Sequence, residues 1–309
     1  MDWSDIKDRV MQAMGAVSGE LDTEVENFCK DALADIHGEG WWPWNRRSVS
    51  ITAKKLQSGA CTYSQGATTI TVATTGLVAD QDEADLYAGG LIQLEGGNTY
   101  TVVSYTFSTK VVVVDSTIVD ADAAADSGAY ELAQDQLELP VAVESVVAVH
   151  DVLQDFTLRA VPTIRRRRLW PDPFRVTGTR PDEWWVGGVN SSGNLVLSLY
   201  PFPDADRNYV VDYWKKLAVP SADGDELEDI TGIPTRFHPV IVARGKEKAF
   251  EFEDESEIKR AHAAAEYLRG VKKMKSFAKL NAGAMRQLHS DRVSRRWIDP
   301  DAHVEITGV

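Results

Sequence analysis

Cysteine is scarce in this chain. Only Cys29 and Cys61 are present, far apart and in different predicted elements, so no disulfide framework is expected and a reducing cytoplasm suits the chain. No apolar run approaches the ~20 residues that span a bilayer, so no membrane partner is expected. The opening Met1-Asp2-Trp3-Ser4-Asp5 is acidic and lacks the basic and apolar regions of a secretory signal. Catalytic signatures are missing as well. The histidines His37, His150, His238, His262, His289 and His303 form no H-E-x-x-H or Cys/His metal spacing. There is no P-loop, no G-x-G-x-x-G after a strand and no G-x-S-x-G turn. Paired acids such as Asp120/Asp122 or Glu226/Glu228 are too common in an acidic chain to mark a site. Neither an enzymatic role, a metal nor a cofactor is expected.

What is present is ordinary in amount and uneven in placement. Apolar residues make up 43% and charged residues 26%, as in globular proteins, and 309 residues suffice for one large or two smaller domains. The net charge of −14 hides an asymmetry. Residues 1–150 hold 23 acids against 8 Lys/Arg, whereas residues 269–296 hold nine Lys/Arg and one acid. An acidic half repels nucleic acid. It serves either as a solvated face that keeps the protein soluble or as a wall from which passing DNA slides.

Texture divides the chain. Two helices are expected in residues 2–37, from Ile6, Val10, Met14 and Val17, and from Leu21, Val25, Phe28, Ala32 and Ile36. Ser18-Gly19 separates them and Gly38 ends the second. Gly40-Trp41-Trp42-Pro43-Trp44-Asn45-Arg46-Arg47 follows. Its aromatics either stack on sugars or bases or plug the junction after the helices. Residues 50–139 are rich in Thr, Val, Gly and Ala, with short alternating runs between glycines. They predict an inserted antiparallel barrel or sandwich of about five to seven strands. Val143, Val146, Val147 and Val149 predict a buried strand. Arg165, Arg166, Arg167 and Arg168 form a basic loop with three open readings: pairing with a neighbouring subunit, a solvated loop, or DNA contact. Two further helices are expected around Phe237–Phe252 and Ile258–Leu268. Beyond Leu280 the pattern thins into a polar arm, 281–309, that orders on a partner or stays a solubilising tail.

The fold class expected is α+β. Residues 1–49 and 140–280 form a helical core from both chain ends, with 50–139 inserted and 281–309 as an arm. The most specific signal lies between Leu195 and Ala249. Leu195-Val196-Leu197-Ser198-Leu199-Tyr200-Pro201-Phe202-Pro203-Asp204 reads as a strand stopped by prolines. Tyr209-Val210-Val211-Asp212-Tyr213-Trp214 reads as a second strand, hairpin-paired with the first. An acidic loop then leads to Ile233-Pro234-Thr235-Arg236-Phe237-His238-Pro239, which opens a helix. This series resembles the head-to-tail adaptor, or connector, proteins of tailed bacteriophages, loosely over residues 130–280. The residues carrying the resemblance are Pro201, Pro203, Asp204, Tyr213, Pro234, Arg236, Phe237 and His238. His238 is expected to cap or pack rather than to catalyse.

The resemblance implies a virion protein at the head–tail junction, made in the host cytoplasm. It implies a homo-oligomeric ring, twelvefold in that family, beneath the portal protein. Such a ring extends the DNA channel without sequence-specific binding. It offers a docking surface to a tail tube, nozzle or tail-completion protein. The portal-reaching arm would carry Arg286, Arg292, Arg295, Arg296 and Trp297, and Arg165–Arg168 would contact the next subunit. The competing reading is a carbohydrate- or receptor-binding protein using the β module and the Trp clusters, although no Trp lies between residues 45 and 169.

Overall fold

The computed structural model describes residues 1–15, 21–73, 87–106, 108–119, 127–162, 174, 180–190, 192–253 and 257–290, the last ten by their backbone alone. The architecture is α+β, with five α-helices and fourteen strands among the described residues. The chain divides into two compact units, residues 1–45 with 217–309, and residues 46–216.

The first unit is helical. Helix α1 (Trp3–Met14) starts with a reciprocal cap. Asp2 Oδ1 accepts from the Asp5 amide at 2.8 Å, and Asp5 Oδ2 accepts from the Asp2 amide at 3.2 Å. The helix stops at Gly15, whose φ of 72° only glycine adopts freely. Helix α2 (Asp22–Gly38) keeps the predicted apolar stripe, with Val25, Ala32 and Ile36 buried and Phe28 partly so. Val17 and the Ser18-Gly19 break lie outside the described residues. After the short α3 (Leu227–Thr231), α4 (His238–Phe252) begins with Pro239 in its first turn, where a missing N–H costs nothing. The hairpin closes with α5 (Glu257–Ser290). A single buried cluster joins Ile6, Val10, Cys29, Leu33, Ile241 and Met274 from both ends of the sequence. The expected polar arm starts too early: the helix runs ten residues past Leu280. Ala282, Ala284, Met285, Arg286, Gln287 and Leu288 are good helix formers, and extending an existing helix is far cheaper than nucleating one.

The second unit is all β. Strands β2 (Gln57–Tyr63), β3 (Thr69–Val72), β6 (Val111–Val114), β5 (Thr99–Thr106), β4 (Leu91–Leu94) and β7 (Gly128–Ala133) close a barrel in that order. Alternate residues, among them Ile70, Val72, Ile92, Leu94, Val112 and Leu132, fill it, so it is a packed core and not a pore. At Gly90 a Cβ would lie 2.4 Å from the Ala133 carbonyl oxygen, so only glycine lets these segments approach.

Two four-stranded sheets complete the unit. One has the order β1 (Arg46–Ala53), β14 (Arg207–Lys215), β9 (Val143–Asp151), β10 (Phe156–Thr157). The other has the order β11 (Arg159–Ala160), β12 (Glu183–Val189), β13 (Leu195–Tyr200), β8 (Leu137–Glu138). Ala53, Val149, Tyr209 and Val211 from the first and Leu137, Trp184, Leu197 and Leu199 from the second share one core. Two local expectations need correction. The strands at 195–200 and 209–214 do not pair: β13 lies between β12 and β8, and β14 between β1 and β9. Pro201 and Pro203 remove two ladder donors in three residues, and the chain crosses from one sheet to the other there. Val147 is exposed because the ladder skips it: Ala148 pairs with Asp212 and Val146 with Tyr213, and the bulge between them breaks the alternation that would have set Val147 on the side of Val149. Residues 140–216, grouped with the helices on texture, fall in the same compact unit as the barrel.

Candidate functional site

The motif residues act in two places, one in each unit. In the β unit, Asp204 closes the crossing after Pro203. Its carboxylate accepts from Arg207 Nη2 at 2.8 Å and Nε at 3.3 Å, and these bonds hold its pKa below the usual range. The other arm of Arg207 enters the core, with Nη1 at 3.5 Å from Oδ2 of the fully buried Asp151. Asp151 Oδ1 in turn accepts from the Leu153 and Gln154 amides at 3.0 and 3.3 Å. Pro203 O accepts from the Leu56 amide at 2.9 Å, and Phe202 packs on Phe174 with ring centroids 5.3 Å apart. Tyr213 sits on β14 against the shared core. The prolines, Asp204 and Arg207 thus fix the crossing between sheets.

In the helical unit, Pro234 to Phe237 form a single tight turn that aims α4. Glu228 caps it, accepting from the Thr235 amide at 3.2 Å and from its hydroxyl. The hydroxyl bond, with the amide's help, lowers the Glu228 pKa. His238 is fully buried and donates from Nε2 to Ile233 O at 2.9 Å. Burial pushes its pKa down, so the ring stays neutral and packs, as expected. The Arg236 guanidinium carbon lies over Phe277 of α5, 3.7 Å from the ring centroid, and 4.9 Å from that of Phe237. Trp44 completes the cluster, 5.8 Å from Phe237, 6.4 Å from Phe277, and stacked on Trp42 at 5.0 Å and 5°. Trp42 Nε1 donates to Ile36 O at 2.7 Å. Trp42 and Trp44 are therefore occupied within the helical unit, while Trp41 remains exposed.

Further contacts brace this root of α5. Arg244 donates to Asp35 at 2.7 Å and to Glu247 at 2.6 Å, with its guanidinium 5.0 Å from the Tyr267 ring centroid. Burial would raise the Asp35 pKa, but hydrogen bonds from Arg244 and Lys248 outweigh it and lower the pKa. At Gly270 a Cβ would meet Val240 Cγ2 at 2.5 Å, so glycine permits close approach of α4 and α5. Sequence reasoning passed over Phe277, Asp151 and Gly270. A glycine in the middle of a long helix was the one available signal among them.

The exposed face of α5 is basic. Arg269, Lys272, Lys273 and Lys279 are exposed, and Lys275 pairs with Glu39 at 2.7 Å. Arg286 follows on the same helix, described by its backbone only. Arg292, Arg295, Arg296 and Trp297 lie outside the described residues, as do Arg165–Arg168. The structure therefore brings Pro201, Pro203 and Asp204 together at one crossing, and Pro234, Arg236, Phe237 and His238 at one helix root. Asn190 closes a local turn: its side chain accepts from the Ser192 and Asn194 amides at 3.0 and 2.9 Å. Among the described residues no helix is long and apolar enough to cross a membrane, and no group of three His, Cys, Asp or Glu side chains can share a metal ion.

A family model described as SU10 adaptor protein matches residues 108–296, well over half of the chain. The class is thereby a bacteriophage structural adaptor of the head-to-tail type. The chain belongs to the SU10 adaptor protein family. The matched stretch holds every motif residue from Pro201 to His238, and begins after four of the six barrel strands. No curated protein matches the chain.

Proposed function

We propose that this adaptor forms a ring, twelvefold as the family resemblance implies, beneath the portal protein. There it would lengthen the DNA channel and present a docking surface to a tail tube, nozzle or tail-completion protein. On this reading it works as a structural part and not as an enzyme. The observation that carries the reading is α5 and its root. At ~1.5 Å per residue its 34 residues span about 51 Å. The shared core reaches Ala278, Arg269, Lys272, Lys273, Lys275 and Lys279 line the exposed face of this stretch, and the helix runs on past Arg286 with no acid between Tyr267 and Ser290. A helix clamped on one face, basic on its exposed face and continuing beyond the core suits a lever that carries an arm to an acidic partner such as the portal. The arm Arg286, Arg292, Arg295, Arg296 and Trp297 combines the side chains richest in binding hot spots. The acidic first half suits a channel wall that repels passing DNA.

Two measurements test this. Projection images of the purified chain should show rings. A chain ending at Leu280 should keep its melting temperature but no longer associate with DNA-filled heads. Normal head attachment by the shortened chain would refute the arm's role, and a strictly monomeric full chain would refute the ring.

A further inference from the structure

Strand β1 ends its sheet. All eight of its residues pair with β14 in unbroken antiparallel register, and among the described residues no strand lies on its other side. Edge strands are normally blunted by proline, a bulge, inward charge or short length, because a bare edge recruits another strand. From Ser48 to Ala53 β1 has none of these. Its core-facing side chains show the consequence. Val49 and Ile51 are only partly buried, whereas Val211 and Tyr209, opposite them on β14, are fully buried. Beside this edge lies a cavity of about 800 Å³ within the β unit. Ile51, Leu137 and Val196 give its walls an apolar part, and Thr52, Gln136 and Glu138 a polar one. An open row of backbone donors and acceptors beside such a trough has the form that takes an extended polypeptide by strand addition.

We infer that β1 accepts residues 303–309 of a second copy of this chain, an inference that rests on the ring reading above. His303-Val304-Glu305-Ile306-Thr307-Gly308-Val309 alternates apolar and polar residues and is rich in β-branched side chains. An antiparallel register that sets Val304 opposite Ile51 and Ile306 opposite Val49 gives the two half-covered core residues apolar partners. The same register sets Glu305 opposite Ser50 and Thr307 opposite Ser48, on the polar face. A shift by one residue would put Glu305 against the core, so the register is specified. Twelve residues, and so thirteen Cα-to-Cα steps, separate Ser290, the end of α5, from His303. Fully extended they reach roughly 43 Å, enough to leave one subunit for the next.

The test mixes two single variants of the full chain, Ser50→Cys and Glu305→Cys, and adds a short bis-maleimide. The native thiols interfere little: Cys29 and Cys61 are buried, and burial pushes them up to about 12 and about 11. A covalent dimer that forms only in the mixture supports the inference. Cross-linking confined to single chains of a Ser50→Cys/Glu305→Cys double variant overturns it, and so does no cross-link at all. Rings without a cross-link sink this inference and leave the ring reading standing; a full chain that forms no rings sinks both. As a second measurement, ending the chain at Ala302 should speed amide exchange over residues 46–53 by at least about tenfold at ring-forming concentration. Unchanged exchange in that strand also overturns the inference.

Discussion

Replacing Gly270 by alanine sets two opposed effects of similar size against each other, and the structure decides the sign. An alanine inside a helix is favoured over glycine by about 1 kcal/mol, so sequence alone predicts stabilisation. The new Cβ, however, would lie 2.5 Å from Val240 Cγ2, 3.0 Å from Cγ1 and 3.2 Å from Cβ. Valine is stiff at χ1 and cannot swing both methyl groups aside, so α4 and α5 must part. Overpacking of this kind costs about 1–3 kcal/mol. The net effect is destabilising by about 0–2 kcal/mol, a fall in Tm of roughly 2–4 °C per kcal/mol. Gly38→Ala is the control, because nothing lies within 4 Å of a Cβ there and its φ is not left-handed. It should raise stability by about 0.4–1 kcal/mol. Combining Gly270→Ala with Val240→Ala should cost less than the sum of the two changes, since the second removes the atoms that clash. Urea unfolding followed by circular dichroism measures all four chains. Equal stabilisation by Gly270→Ala and Gly38→Ala would refute close helix packing at the root of α5.

Three further outcomes are expected. Arg207→Ala strands the fully buried Asp151 carboxylate and should cost about 3–5 kcal/mol; a loss under 1 kcal/mol on urea unfolding would show that the pair is not what holds the crossing. Acid should destabilise in two steps. Below pH ~6.5 the unfolded chain protonates His238 while the buried ring resists, and below pH ~4 the stability held by Asp212 is lost. The His150 ring, 3.8 Å away, and hydrogen bonds from Ser48 and Arg46 keep the Asp212 carboxyl well below its usual range, so its contribution is complete at neutral pH. A His238→Asn chain with an unaltered slope of stability between pH 7 and 5 would remove histidine from that account. Changing Arg165–Arg168 to serine should lower ring yield in low salt and leave the fold intact. Exposed pairs are worth about 0–1 kcal/mol each and are screened by salt, so an unchanged yield at both ionic strengths would rule out the electrostatic contact.

Periodicity carried the local elements. Ile6 and Val10, or Val25, Ala32 and Ile36, reveal a helix because each stripe is written within a few turns. The barrel strands are equally legible, since their alternation and the glycines between them are local. The motif from Pro201 to His238 was read in the sequence as a family mark, and the matched family bears that out. The roles of those residues were not legible. Pro201 and Pro203 look like a hairpin turn until the sheet order shows β13 and β14 in different sheets. Arg207 and Asp151 are 56 positions apart, and nothing near either announces a buried ion pair. Phe277 looks like one more apolar residue in a basic stretch until Arg236 and Trp44 are found on it. The length of α5 was missed for a similar reason, because the apolar stripe fades while propagation continues the helix. Local spacing determined the elements of this adaptor. Which strand neighbours which, and which glycine lets two helices touch, depends on atoms distant in sequence, and only the tertiary structure decided it.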